Sequence, residues 1–239
     1  MVLPLTRWAL VAVVAVVAFL SSNNIIEAQS TDEVVLDYET RPRSISKERE
    51  EKNRRFDAYG DYPLKELGEK GLQLLPTTSH WWRGTGAIPV ESSEAVVVGS
   101  VTKREAFLSK NEKGVYTEYE IKIEQVLKNS GDKSISPDEV IPVVRVGGTV
   151  RFGTQNVQRF TMSKLGVLKN AARYLLFLRK NNGVDEFVVT GYELTDGKVT
   201  PLDGGPGDDP RTRLPFHKYK GADEETLLED VRQAIQKAN

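Results

Sequence analysis

Few residues of this chain have types and spacing able to do chemistry. The densest group is His80-Trp81-Trp82-Arg83, which puts an imidazole, two indoles and a guanidinium in four consecutive positions. Indole rings offer flat apolar faces suited to sugar rings or peptide side chains. On a strand, alternation would send the two rings to opposite faces. His80, Trp81, Trp82 and Arg83 are therefore the candidate binding residues. The plainer reading is a hydrophobic plug beneath the first strand of the folded domain, with Trp82 inside and Trp81 the more exposed.

The other candidates each have a duller explanation. His80 and His217 are the two histidines of the chain, far apart in sequence and without HExxH spacing, so no zinc site is expected. Asp203, Asp208 and Asp209 offer oxygen ligands but lack the alternation of a calcium loop, which reads as a solvated loop. Glu118, Glu120 and Glu124 share a strand face with Lys122 and Lys128, an ordinary polar face rather than a tuned carboxylate pair. Ser44-Ile-Ser-Lys47 matches SxxK but falls in charged sequence with no core to depress the lysine pKa. GxSxG, Walker A and dinucleotide motifs are absent, and Arg83-Gly-Thr-Gly86 is two glycines in a turn. The expectation is no catalytic residue, no metal and no cofactor.

Composition narrows the setting. The chain has 239 residues, 39% hydrophobic and 28% charged, which suits one good core with an added element. It opens with Arg7, an apolar run from Trp8 to Leu20, and polar Ser21–Asn24. A helix of that length spans about 20 Å, short of the ~30 Å hydrocarbon layer, and fits a secretory signal. Cleavage is expected after Ala28, with an uncleaved N-terminal anchor as the alternative. Losing residues 1–28 removes Arg7 and Glu27, so the net charge of −1 is unchanged. That balance exerts no long-range pull on nucleic acid or anionic lipid, so neither is an expected partner. Membrane attachment would come only through the N-terminal segment. With no cysteine, stability must come from burial and hydrogen bonding.

Between these extremes the elements are legible. Residues 29–75 are charge-rich and read as a polar spacer, partly helical, whose thin apolar stripe is Ile45, Phe56 and Tyr59. Residues 76–239 read as the folded domain. AVVVGSV (95–101) is apolar on both faces, as in a central strand. VYTEYEIKIEQVLK (115–128) alternates, with Val115, Tyr119, Ile121, Ile123 and Leu127 inward and Tyr116, Glu118 and Glu120 on the wet side. IPVVRV and TVRF flank Gly147–Gly148, a two-residue hairpin signal. QNVQRFTM follows as a short strand. RYLLFLRK, an Asn/Gly turn and FVVTGYEL form two more strands, with Tyr174–Leu178 buried on both faces. Asp196–Gly197 turns into a last strand, Val199–Leu202. The period then changes: Leu227, Leu228, Val231, Ala234 and Ile235 line one stripe of a C-terminal helix, with Asp223 at its start.

The succession IPVESSEAVVVGSV, GVYTEYEIKIEQVLKN, GGTVRF, RYLLFL, TGYEL and YKGADEETLLEDVRQAI resembles a family of uncharacterised exported proteins found chiefly in soil bacteria. The resemblance covers about residues 88–237 and implies export and a shared β domain, with no activity or site. The VVVGSV strand, the strand ending VLK and RYLLFL are also faintly similar to netrin-like modules built on an OB-type barrel, although those modules carry cysteines. The expected fold is mainly β: an antiparallel small barrel or sandwich of seven or eight strands, a C-terminal helix and a polar N-terminal spacer. The expected role is an exported, non-enzymatic interaction or structural module of the bacterial cell envelope, its partner an envelope protein or glycan. The alternatives are a carbohydrate- or peptide-binding module using Trp81 and Trp82, and a hydrolase with a scattered site.

Overall fold

Two long antiparallel strands, β2 (Ala95–Leu108) and β3 (Val115–Asn129), dominate the structure. The computed structural model describes residues 36–37, 45–73, 85–131, 134–153, 156–181, 184–204 and 214–238. The remaining strands are β1 (Leu36–Asp37), β4 (Val140–Val146), β5 (Gly148–Phe152), β6 (Asn156–Phe160), β7 (Arg173–Asn181), β8 (Val184–Thr195) and β9 (Lys198–Pro201). They form a six-stranded sheet in the order β4-β3-β2-β7-β8-β9 and a small sheet β1-β5-β6. The large sheet is not closed into a barrel by a continuous ladder. Its strands β4 and β8 meet in a single parallel pairing, Val144 with Phe187.

The apolar density of β2 and β7 follows from cover on both faces. Ala95 and Val97 of β2, with Tyr174, Leu176 and Leu178 of β7, face an inner core shared with Ile121, Ile123, Ile141 and Val143. Val96, Val98, Leu175 and Phe177 face the other way, into a core with Tyr192, Phe216, Leu227 and Val231. Every side chain from Tyr174 to Leu178 is buried, whereas Arg179 and Lys180 emerge into water. The run RYLLFLRK is the middle of a core.

The C-terminal helix, α3 (Glu224–Ala238), closes the second face. Leu227, Leu228 and Val231 are buried there, and Ala234 and Ile235 pack beside them. Its approach also covers the outer edge of β9. The Val199 amide donates to the Ala222 carbonyl, Gly221 donates back to Val199, and Lys198 bridges Asp223. Asp223 also holds the Lys198 ammonium at 2.6 Å. An edge that would template another chain is thereby paired.

Two sequence expectations are overturned. Gly147–Gly148 does not make a β4–β5 hairpin: β5 pairs with β6 and β1 instead. The two glycines, at φ +106° and +146°, turn the chain out of one sheet into the other. A Cβ on Gly148 would meet Thr117 Oγ1 at 2.5 Å, so close approach as well as positive φ requires glycine. By contrast Asp196 and Gly197, both at positive φ, make the β8–β9 turn as expected.

The second correction concerns Tyr116. Alternation assigns it to the wet side of β3, yet it is fully buried. Part of the polar segment expected as a spacer lies over it. Residues 45–73 hold helix α1 (Lys47–Arg54), a 3-10 turn (Asp57–Tyr59) and helix α2 (Leu64–Glu69). Ser46 starts α1 by accepting the Arg49 amide at 3.2 Å. Phe56 and Leu64 are buried in a third core with Phe107, Tyr116, Val150, Phe152 and Phe160. This stretch is more than a solvated tether.

Candidate functional site

His80, Trp81, Trp82 and Arg83 lie outside the described residues, as do Asp208 and Asp209. The chain is anchored on either side of the tryptophans. The Leu72 carbonyl accepts from Gln158 Nε2 at 3.2 Å, and the Ala87 carbonyl accepts from the Tyr192 hydroxyl at 2.6 Å.

Asp203, read from sequence as a solvated loop carboxylate, is instead buried at 1% exposure. Its Oδ1 accepts from the Arg145 guanidinium and from the Gly166 amide at 2.8 Å, while Oδ2 accepts from the Thr190 hydroxyl at 2.8 Å. Arg145 is equally buried and also donates through Nε to the Gly166 carbonyl at 2.7 Å. A pair this deep relies on further hydrogen bonds, supplied here by the Gly166 carbonyl and amide and the Thr190 hydroxyl.

These residues belong to a polar layer on the inner face of the sheet. Strand register places Arg104 opposite Tyr119, and Thr117 opposite Arg145. The segment after β6 runs over them and is fastened at several points. Arg104 Nη1 reaches the Leu168 carbonyl at 3.5 Å, the Lys169 amide donates to the Tyr174 hydroxyl at 3.0 Å, and the Gly204 amide donates to the Lys164 carbonyl at 2.9 Å. Burial pushes the Tyr119 phenol up, partly offset by the charge of Arg145 and hydrogen bonding with Thr117 and the Leu168 backbone. Burial likewise pushes the Tyr174 phenol up. Both hydroxyls stay protonated at any ordinary pH and serve as hydrogen-bonding groups.

Two neighbours of this layer are hydrogen-bonded within the fold. Thr190 donates to a carboxylate already held by a guanidinium. His217 is buried, with Nδ1 accepting the Leu214 amide at 3.1 Å and its ring against Gly204. Neither parent family nor relative supplies a role: no protein-family model and no curated protein matches the chain.

The glutamates of β3 are engaged one by one. Glu118 accepts from Arg49 and sits 2.7 Å from the Lys52 ammonium. Glu120 faces Lys103 at 3.3 Å, and Glu124 accepts from Arg173 at 2.6 Å. Lys128 does not pair with them; its ammonium donates to the Val90 and Ser93 carbonyls at 2.7 and 2.8 Å. Among the described residues, no group of three His, Asp or Glu could hold a metal ion, and no helix is long and apolar enough to cross a membrane.

Sequence reasoning passed over Arg145. The available signal was its position inside VIPVVRV, where a charge interrupts an apolar strand. A buried charge needs a partner, and that requirement pointed to an inward carboxylate elsewhere in the chain.

Proposed function

We propose that this chain is an exported, non-enzymatic interaction module of the bacterial cell envelope, its β domain a partly open barrel of the OB type. The observation that carries the non-enzymatic reading is the engagement of each carboxylate described above. Glu118, Glu120, Glu124 and Asp203 are each held by a cation from another element, fastening the fold rather than facing a substrate. The strand connectivity supports the OB-type likeness. In the order β2, β3, β4, β7, β8, the first strand pairs with the second and fourth, and the third touches the fifth in parallel. The apolar N-terminal run and polar cleavage region support export.

A second reading, carbohydrate or peptide recognition by Trp81 and Trp82, is favoured by their adjacency within a segment anchored at both ends. Once residues 1–28 are removed, these are the two remaining tryptophans, so selectively excited tryptophan fluorescence reports on them alone.

Expression with the native N-terminus, followed by fractionation and N-terminal sequencing, tests the first reading. The expected product starts at Gln29 and lies outside the cytoplasm, and Val13→Arg with Val16→Arg traps the chain inside. Full-length protein in the cytoplasm of the unaltered strain would sink the export reading. Iodide quenching tests the second. A wet, quenchable ring at Trp81, protected on adding cell-wall glycan or peptide fragments, supports recognition; unquenched fluorescence from both rings removes it.

A further inference from the structure

Among the described residues, the polar inner layer holds more positive charge than its partners balance. Arg145 uses Nε on the Gly166 carbonyl and Nη2 on Asp203, but its Nη1 has no hydrogen-bond partner in a side chain 1% exposed. Arg104 reaches the Leu168 carbonyl through Nη1 alone, while its Nε and Nη2 are buried without a partner. The two guanidiniums thus grip carbonyls two residues apart in one segment, from the same inward face of β2 and β4, the two strands that flank β3. Asp203 has both oxygens committed to Arg145, Gly166 and Thr190. The facing hydroxyls of Tyr119 and Tyr174 carry no charge, and Lys169 at the rim is matched by Glu193 at 2.8 Å. Among the described residues, two guanidiniums against one carboxylate leave an excess of one positive charge.

That excess cannot be shed, because a guanidinium stays protonated in proteins. Water would satisfy the spare N–H groups but not the charge, and like charges repel more strongly away from bulk solvent. The geometry points to a bound monovalent anion of halide or formate size, held between Arg104 and Arg145 beneath residues 166–168. Leu168 and Tyr119 belong to the buried core beside this spot. Arg104 is only partly buried as a residue and marks the side of entry. The occupant is structural: it ties β2 and β4 to the covering segment, whether or not the interaction role proposed above holds.

The test uses the full mature chain, melted in sodium chloride, bromide or formate against sodium gluconate at constant ionic strength. A ligand that binds only the folded state raises the midpoint with its concentration. From 1 to 100 mM the small anions are expected to raise it by about 3–6 °C relative to gluconate. Arg104→Met should abolish most of that response, and Lys103→Met, on the exposed face, should keep it. Response to formate without response to halide assigns an oxyanion; response to both assigns a halide-sized site. Bromide-soaked crystals provide a reading that does not depend on the variant folding, with an anomalous peak expected in contact with both arginines. Superimposable melting in all four salts, a full response in Arg104→Met, or bromide only at surface positions as an adventitious ion would each overturn the proposal.

Discussion

Phe56 stacks on Tyr116, with ring centroids 3.9 Å apart and planes 14° from parallel. The contact joins the N-terminal polar segment to the middle of the β domain, and it is reinforced from α1. The Tyr116 hydroxyl donates to Asn53 at 2.6 Å, and the Arg49 guanidinium lies 3.9 Å from the Phe107 ring centre. The folding unit therefore begins well before residue 76. Phe56→Ala is expected to cost about 3–5 kcal/mol, read from urea unfolding of the mature chain. A truncation starting at residue 76 uncovers Tyr116, Phe107 and Phe152 together and should aggregate. A truncation as stable as the full chain would show that the segment is only an appendage.

Removing one partner of a buried ion pair leaves an uncompensated charge. Asp203→Leu strands the Arg145 guanidinium and should destabilise by about 3–5 kcal/mol. Adding Arg145→Met to it should restore a substantial part, giving a clear non-additive term in a double-mutant cycle. Simple additivity of the two losses would mean that the pair does not act as a unit.

Acid stability has a local origin at Glu118. Burial alone would raise its carboxyl, but the hydrogen bonds and charges of Arg49 and Lys52 outweigh that and hold it below the usual carboxylate range. Glu124 is lowered in the same sense, burial being outweighed by Ser100 and Arg173. A group with a depressed folded pKa stabilises fully above its unfolded value, near about 4.3 for Glu, and loses that contribution as pH falls through the folded value. Stability should therefore fall below about pH 4.3, and Glu118→Gln should show a shallower fall. Urea midpoints at pH 7 and pH 3 measure it; parallel losses in both proteins would place the acid sensitivity elsewhere.

Leu228 and Ile235 sit on one stripe of α3 but differ in burial. Leu228, at 5% exposure, should lose about 2–5 kcal/mol on truncation to Ala. Ile235, only partly buried near the end of the helix, should lose less. Calorimetric midpoints of the two variants distinguish a packed lid from a loosely attached helix, for which both effects would stay within about 0.5 kcal/mol.

What the sequence determined by itself is local. Period-two alternation placed β3, the apolar runs placed β2 and β7, Asp196–Gly197 placed the last turn, and a 3.6-residue stripe placed α3. Each of these is specified by neighbours within a few residues, where backbone geometry fixes which side chains share a face. Only the tertiary structure decided what lies on those faces. Tyr116 has the pattern of a wet residue and is dry because Phe56, remote in sequence, covers it. Gly147–Gly148 has the pattern of a hairpin and is a corner because β5 found β6 and β1 instead of β4. Arg145 and Asp203 stand 58 residues apart. Their pairing arises where desolvation forces two buried charges together, a requirement that acts through space and leaves no periodic trace along the chain.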